Sequence, residues 1–241
     1  MEQDSRLGGG AAVSKAGAAT PGPDEAVSKP EASAPKEGAV PAPGARRPGG
    51  RTAKVRRAVL DATQEALAAS GFHALNMDRV AAAAGVGKTT VYRRWGSPAA
   101  LVADLLDDMA EQSLPAADTG DLAGDLRANA ALVLETLTDP RMGPVFRAVI
   151  AAAACDEECA RALGGFYRTR LAEWAPVAVR AMARGELPPG TDPLELLRAV
   201  SAPLYYRFAV THEEPTPADA ERAVTATLAA AAAGAFVPDA P

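Results

Sequence analysis

The feature that most constrains this chain is a set of closely spaced signals that start and stop helices. An apolar stripe with helical spacing runs through residues 55–69 and ends at Gly71. Asn76 is a favourable N-cap for a short second helix over residues 77–84. Gly85 supplies the left-handed conformation that ends this helix. The sequence therefore predicts two helices in close succession.

A third helix is predicted over residues 88–95, joined to the second by the tight connection Gly85, Val86 and Gly87. Ser97 as N-cap and Pro98 in the first helical position start a fourth helix. Beyond it, proline, glycine and aspartate separate further helical segments, over residues 121–137, 144–153, 156–184, 193–210 and 217–233. No run alternates apolar and polar residues for long enough to form a sheet, so the predicted fold class is all-α.

Composition divides the chain into three parts. Of residues 1–50, 27 are Ala, Gly or Pro and none is aromatic. Such a segment buries too little apolar surface to offset its chain entropy, so a disordered tail is predicted there. A domain of three short helices is predicted over residues 51–97, and a larger helical domain over residues 98–237.

The net charge of −5 hides an uneven distribution. Residues 51–102 carry eight basic and three acidic side chains, whereas residues 103–241 carry 11 basic and 21 acidic ones. A compact basic block joined to an acidic body indicates a polyanionic partner for that block. A membrane is disfavoured as that partner, because no long basic amphipathic helix is present. Since no secretory signal begins the chain, a cytoplasmic location is expected.

The second and third helices form a helix-turn-helix. The exposed face of the third helix would present hydrogen-bonding side chains suited to a major groove and its phosphate edges: Lys88, Thr89, Thr90, Tyr92 and Arg93. An ordinary helical hairpin with solvated polar residues has the same pattern. The basic block coincides with this segment, however, and therefore favours DNA as the partner.

Residues 71–72, 76–81 and 84–95, together with Leu101, resemble the N-terminal DNA-binding domain of TetR-type (tetracycline-repressor-like) transcriptional regulators. Beyond residue 105 the resemblance extends only to the helical architecture. It implies a homodimeric repressor that binds a palindromic double-stranded DNA operator and is released by a small-molecule effector. The effector would bind in the C-terminal domain, which would also dimerise.

The resemblance also implies roles for single residues. Lys88, Thr89 and Thr90 would contact base edges, Tyr92 and Arg94 would contact phosphates, and Val91 and Trp95 would be core residues. Arg51, Asn76 and Arg93 complete the predicted DNA-binding set. The sequence departs from the family at Pro98, where many members carry a lysine that contacts a phosphate; backbone N–H groups near Ser97 would replace it.

Two further sites are expected in the C-terminal domain. The resemblance implies a dimer interface built by the last two long helices, with Leu197, Leu204, Phe208, Val224 and Leu228. An intramolecular core would have the same apolar stripe. Large residues of the middle helices are candidates for an effector cavity or for plain core: Phe146, Val149, Phe166, Tyr167 and Trp174. Arg168 or Arg170 would be a polar anchor for the effector.

No catalytic site, cofactor or metal is predicted. The two histidines, His73 and His212, lie far apart in the sequence, and no nucleophile–base pair is suggested. Cys155 and Cys159 lie one helical turn apart without the further soft ligands that a zinc site requires, so inert thiols are expected. The alternative to a DNA-binding regulator is a helical scaffold whose helix-turn-helix no longer reads DNA.

Overall fold

A computed structural model describes residues 49–112 and 115–238, so the predicted tail over residues 1–48 lies outside the described part. Within that part the chain forms ten α-helices and no strand, in agreement with the predicted all-α class. The helices are α1 (Gly49–Ser70), α2 (Met77–Ala83), α3 (Lys88–Arg94), α4 (Pro98–Glu111), α5 (Leu122–Thr138), α6 (Met142–Ala153), α7 (Glu157–Trp174), α8 (Pro176–Ala183), α9 (Pro193–Tyr206) and α10 (Pro217–Ala232).

Local capping explains where the first helices begin and end. The Asn76 side chain accepts hydrogen bonds from the backbone N–H groups of Asp78 and Arg79, at 2.9 and 3.1 Å. Ser97 Oγ accepts from Ala100 N at 3.0 Å and starts α4. Gly85 has φ of 63°, in the left-handed region that ends α2 without strain. The predicted order of these helices is confirmed.

The long helix predicted over residues 156–184 is wrong, because the chain divides there into α7 and α8. Pro176 has no N–H to donate, and its ring would clash with the preceding turn of a continuous helix. It occupies the first turn of α8, where the missing donor costs nothing. A second departure follows α9, whose last turn widens into a π-helical segment, Arg207–Thr211.

All the described helices belong to one compact unit. We call α1 to α4 its N-terminal domain and α5 to α10 its C-terminal domain. The C-terminal domain meets the N-terminal one along two paths, α4 against α7 and α1 against α6. At the far end, α10 packs against both α9 and α5. Helices α6 and α7 are therefore the part of the C-terminal domain that packs most closely on the N-terminal one.

The stripe predicted as the dimer interface lies inside the subunit. Leu197, Leu204 and Phe208 share one face of α9 and its π-helical turn, but they are 1%, 0% and 2% exposed, and Val224 of α10 is 1% exposed. Because α10 packs onto this face within the same chain, the four side chains cannot meet a second subunit. The prediction is wrong for these residues, and the alternative of an intramolecular core applies. Leu228 is half-buried against the same core.

Candidate nucleic-acid interface and cavity

The recognition helix α3 has one buried face and one polar face. Val91 is completely buried and Trp95 is 9% exposed, so these two residues attach the helix to the domain, as expected. The opposite face presents a half-buried Thr90 and five exposed side chains, namely Lys88, Thr89, Tyr92, Arg93 and Arg94. The structure therefore brings all six side chains predicted on this helix to one accessible surface.

Lys88 is already paired within the helix-turn-helix. Its Nζ lies 2.6 Å from Asp78 Oδ2 on α2. The hydrogen bond from Lys88 lowers the pKa of the Asp78 carboxyl, and the same bond raises the pKa of the Lys88 ammonium. Both side chains are largely exposed, so the pair is screened by solvent and is weak. A DNA contact by Lys88 would have to compete with Asp78.

The remaining predicted DNA-binding residues have different surroundings. The oxygen of the Asn76 amide is used in capping α2, which leaves its nitrogen to donate to a phosphate. The Arg94 guanidinium lies over the Trp95 ring at 4.9 Å from the ring centroid, an arrangement that holds the cation while leaving N–H groups free. Arg51 belongs to α1, but its side chain lies outside the described part.

A polar cluster that the sequence reasoning missed fixes the end of α3 to its neighbours. Trp95 Nε1 donates to Asp104 Oδ2 of α4 at 2.8 Å. Arg56 of α1 donates to the other oxygen of Asp104 at 2.9 Å and to Asp108 at 2.7 Å. These partners are 48 and 52 residues apart along the chain, so no local pattern could indicate them. The cluster positions α3 relative to α1 and α4.

One hydrogen bond joins the two domains at the start of α4. Ser97, whose oxygen caps α4, donates its hydroxyl proton to Glu158 Oε2 in the first turn of α7, at 3.2 Å. Gln64 of α1 also lies 3.3 Å from the sulfur of Met142, at the start of α6. Polar contacts thus accompany the helix packing on both paths between the domains.

A cavity of about 90 Å³ lies among α5, α6, α7 and α9. Four of the five predicted cavity residues line it: Phe146, Phe166, Tyr167 and Trp174. Val149 does not, because it is completely buried in the core. Arg170 lines the cavity, whereas Arg168 is exposed. The sequence reasoning missed the wall from α5 and α9, which includes Asn129, Leu132, Val133, Thr136, Leu197 and Ser201.

A larger open groove of about 650 Å³ adjoins this cavity. The two spaces share Tyr167 and Leu171 of α7 and Ser201 and Tyr205 of α9. The rings of Tyr167 and Tyr205 meet edge to face, with centroids 5.4 Å apart. These two tyrosines form the boundary between cavity and groove.

The two cysteines differ in their surroundings. Cys159 is buried, and this burial raises the pKa of its thiol to about 12, with Asp156 adding to the shift. Cys155 is exposed. Because the thiolate is the reactive form, we expect a maleimide at neutral pH to label one thiol in the folded protein and both in urea. Mass spectrometry counts the labels, and Cys155→Ser should abolish labelling of the folded chain. Two labels without denaturant would contradict this assignment.

Within residues 49–112 and 115–238, no group of three or more His, Cys, Asp or Glu side chains is placed to hold a metal ion. In the same part of the chain, no helix has the length and apolarity that would let it cross a bilayer.

Comparison with known proteins places both domains in one family. Residues 59–105 match the family model for bacterial regulatory proteins of the tetR family. Residues 116–227 match the tetracyclin repressor-like C-terminal domain. The chain is 30% identical to the uncharacterized HTH-type transcriptional regulator YdeS of Bacillus subtilis (strain 168) over 159 residues, 66% of this chain and 80% of YdeS.

Two further relatives agree with this result. The HTH-type transcriptional regulator AqdR of Rhodococcus erythropolis is 29% identical over 143 residues, which cover 59% of this chain and 68% of AqdR. Among solved structures, the TetR family transcription regulator SCO0332 superimposes with a TM-score of 0.60 at 30% identity, covering 73% of this chain and 97% of that one.

Proposed function

Because this chain belongs to the TetR family of DNA-binding transcriptional regulators, we propose that it represses transcription as a homodimer on a palindromic operator and is released by a small-molecule effector. The observation that carries this proposal is the polar, basic face of α3, which is exposed while its opposite face is anchored by Val91 and Trp95. Such a regulator is not an enzyme, and it acts in the cytoplasm, where bacterial DNA lies.

Two copies of the chain are needed to read two half-sites, which lie about 34–36 Å apart, or a multiple of that, on one face of DNA. The buried stripe of α9 cannot supply the dimer interface. We therefore assign the dimer interface to the outer face of α9, to the π-helical turn that follows α9, and to α10. Tyr206 is 58% and Val210 is 62% exposed there. Exposed Ala202, Ala226 and Ala229 permit close approach of helices.

The route from effector to DNA follows α7. Its C-terminal half carries Phe166, Tyr167 and Trp174 of the cavity, and its first turn carries Glu158, which binds Ser97 at the start of α4. α4 in turn holds the end of α3 through the bond between Asp104 and Trp95. An effector that favours one position of α7 would thus alter the spacing of the two recognition helices, provided that it binds the two states with different affinity.

Selection of bound fragments from genomic DNA, followed by a gel shift with the enriched sequence, tests the proposal. We expect enrichment of fragments that contain an inverted repeat. The rival hypothesis is a helical scaffold that no longer reads DNA, and it would be favoured if no fragment were enriched over random sequence.

Substitutions on α3 separate base contacts from phosphate contacts. Lys88→Ala is expected to weaken operator binding by about 1–3 kcal/mol and to change base preference. Arg94→Ala is expected to weaken binding to operator and random DNA alike and to flatten the dependence of affinity on salt. Binding of each variant to both DNAs at several salt concentrations checks these outcomes. Equal losses for Lys88→Ala on operator and random DNA would contradict its base-reading role.

A further inference from the structure

Two hydrogen-bond donors on α7 are buried without a partner in hydrogen-bond geometry, and both belong to residues that line the cavity of about 90 Å³. Trp174 is 4% exposed, and its Nε1–H meets no acceptor. The hydroxyl of Tyr167 is buried as well, and the adjacent Tyr205 hydroxyl does not meet it in full hydrogen-bond geometry. A buried polar group left unpaired destabilises the fold, and protein interiors pair the large majority of such groups. Two unpaired groups at one cavity therefore indicate a partner from outside the chain.

The chemistry of these groups specifies the partner. An indole nitrogen donates and does not accept. Burial is the main cause that raises the pKa of the Tyr167 phenol well above its ordinary value, and the adjacent Tyr205 phenol adds to the shift through its charge and through hydrogen bonding. The Tyr167 hydroxyl therefore keeps its proton, and a ligand acceptor would take this proton in place of the Tyr205 oxygen. The hydroxyls of Thr136 and Ser201, by contrast, already donate to backbone carbonyls of their own helices, at 2.8 and 3.0 Å. The matching ligand atom is a hydrogen-bond acceptor.

The charge of the cavity disfavours an anion. Arg170 is the one charged side chain among the described residues that line it. Its guanidinium donates to Glu173 at 2.6 Å, so its charge is balanced within α7. A carboxylate placed in this cavity would lose its hydration, and the only cation among the described residues beside it is already paired with Glu173. Burying a charge without a free partner is costly. A neutral acceptor, such as a carbonyl oxygen, avoids this cost.

The size of the cavity requires one wall to move. Cavities of about 150 Å³ accommodate benzene, whereas this one measures about 90 Å³. The boundary formed by Tyr167 and Tyr205 separates it from the open groove of about 650 Å³. A flat ring that enters from the groove must displace this boundary. Since Tyr167 stands on α7, the displacement acts on the helix that contacts α4.

We infer that the cavity binds an uncharged aromatic compound whose carbonyl oxygen accepts hydrogen bonds from Trp174 Nε1 and the Tyr167 hydroxyl. The ring of the compound lies among apolar side chains, including Leu132, Val133 and Phe166. This assignment rests on the proposed effector role of the C-terminal domain and specifies the chemical class of the effector.

Calorimetric titration of the full chain with three matched compounds tests the assignment. The compounds are 1-tetralone, the hydrocarbon tetralin, which lacks the oxygen, and 1-naphthoate, which carries a charge. We expect 1-tetralone to bind about tenfold more tightly than tetralin, since the hydrocarbon leaves both donors unpaired, and more tightly than 1-naphthoate. Trp174→Phe and Tyr167→Phe should each reduce the ratio of tetralone to tetralin affinity severalfold. Thr138→Val, which removes an exposed hydroxyl at the end of α5 outside both the cavity and the groove, should leave the ratio unchanged.

Circular dichroism and operator binding without any compound are measured for each variant, so that loss of folding or of DNA binding is seen separately from loss of ligand binding.

Equal affinities for tetralone and tetralin would overturn the donor roles of Trp174 and Tyr167. Tighter binding of naphthoate than of tetralone would overturn the assignment to an uncharged ligand. If none of the three compounds binds to a chain that still binds its operator, the inference about the ligand fails while the DNA-binding function stands. If the chain binds tetralone with the expected ratio but binds no DNA, the ligand site stands and the DNA-binding function fails.

Discussion

Leu204→Glu is expected to unfold the C-terminal domain rather than to separate two intact subunits. Leu204 is completely buried in one chain, between α9 and its neighbours. Loss of a buried leucine side chain costs about 2–5 kcal/mol, and a carboxylate buried without a partner adds to that cost. The free energy of unfolding of such a domain is only about 5–15 kcal/mol. This single substitution therefore removes a large share of that free energy.

Thermal and urea unfolding followed by circular dichroism measure this effect. Leu204→Met is the matched control, because a swap that conserves volume costs less than about 1.5 kcal/mol. A variant Leu204→Glu that sediments as a fully helical monomer would contradict the assignment of this side chain to the subunit core. It would restore the buried stripe of α9 as a surface between subunits.

Tyr206→Glu is expected to have the opposite outcome, a folded chain that no longer dimerises. Tyr206 follows Leu204 by only two positions, yet its side chain is 58% exposed on the outer face of α9. A glutamate there is solvated in the monomer and is desolvated on association. A symmetric interface repeats the substitution on both subunits. The loss of the second recognition helix should lower operator affinity about 100-fold or more, because the two heads no longer bind as one unit.

Analytical ultracentrifugation measures the loss of the dimer, and a gel shift measures the loss of operator affinity. The circular dichroism spectrum of the variant should equal that of the unsubstituted protein. Tyr206→Phe is the control and should dimerise normally. A Tyr206→Glu protein that remains a dimer with full operator affinity would move the interface to another surface of the molecule. The pair of substitutions at positions 204 and 206 thus distinguishes the inner face of α9 from the outer one.

The N-terminal domain could be predicted closely from the sequence because its signals are local. Asn76, Ser97 and Gly85 each act within a few residues of their own position, through a cap or a backbone conformation. The polar face of α3 and its anchors Val91 and Trp95 follow from helical spacing in the same way. Helix order and the accessible DNA-binding face therefore needed no tertiary information.

The sequence was less informative wherever two distant segments meet. The pairing of Lys88 with Asp78 and the cluster of Arg56, Asp104 and Trp95 join separate helices, and the cavity combines residues of four helices. No spacing along one helix encodes such contacts. The break at Pro176 agrees with a local rule, since proline in a helix interior removes a donor and clashes with the preceding turn. The rule does not decide every case, because Pro203 lies inside α9 without ending it.

The apolar stripe of α9 was predicted from the sequence, but the surface that covers it was not. Helical periodicity alone put Leu197, Leu204 and Phe208 on one face and required that face to be buried. Whether a second copy or the same chain would cover it depended on where α10 and α5 lie. Burial of apolar area is favourable whichever surface covers it, so the pattern of apolar residues predicts burial and leaves the covering partner to the packing of the whole domain.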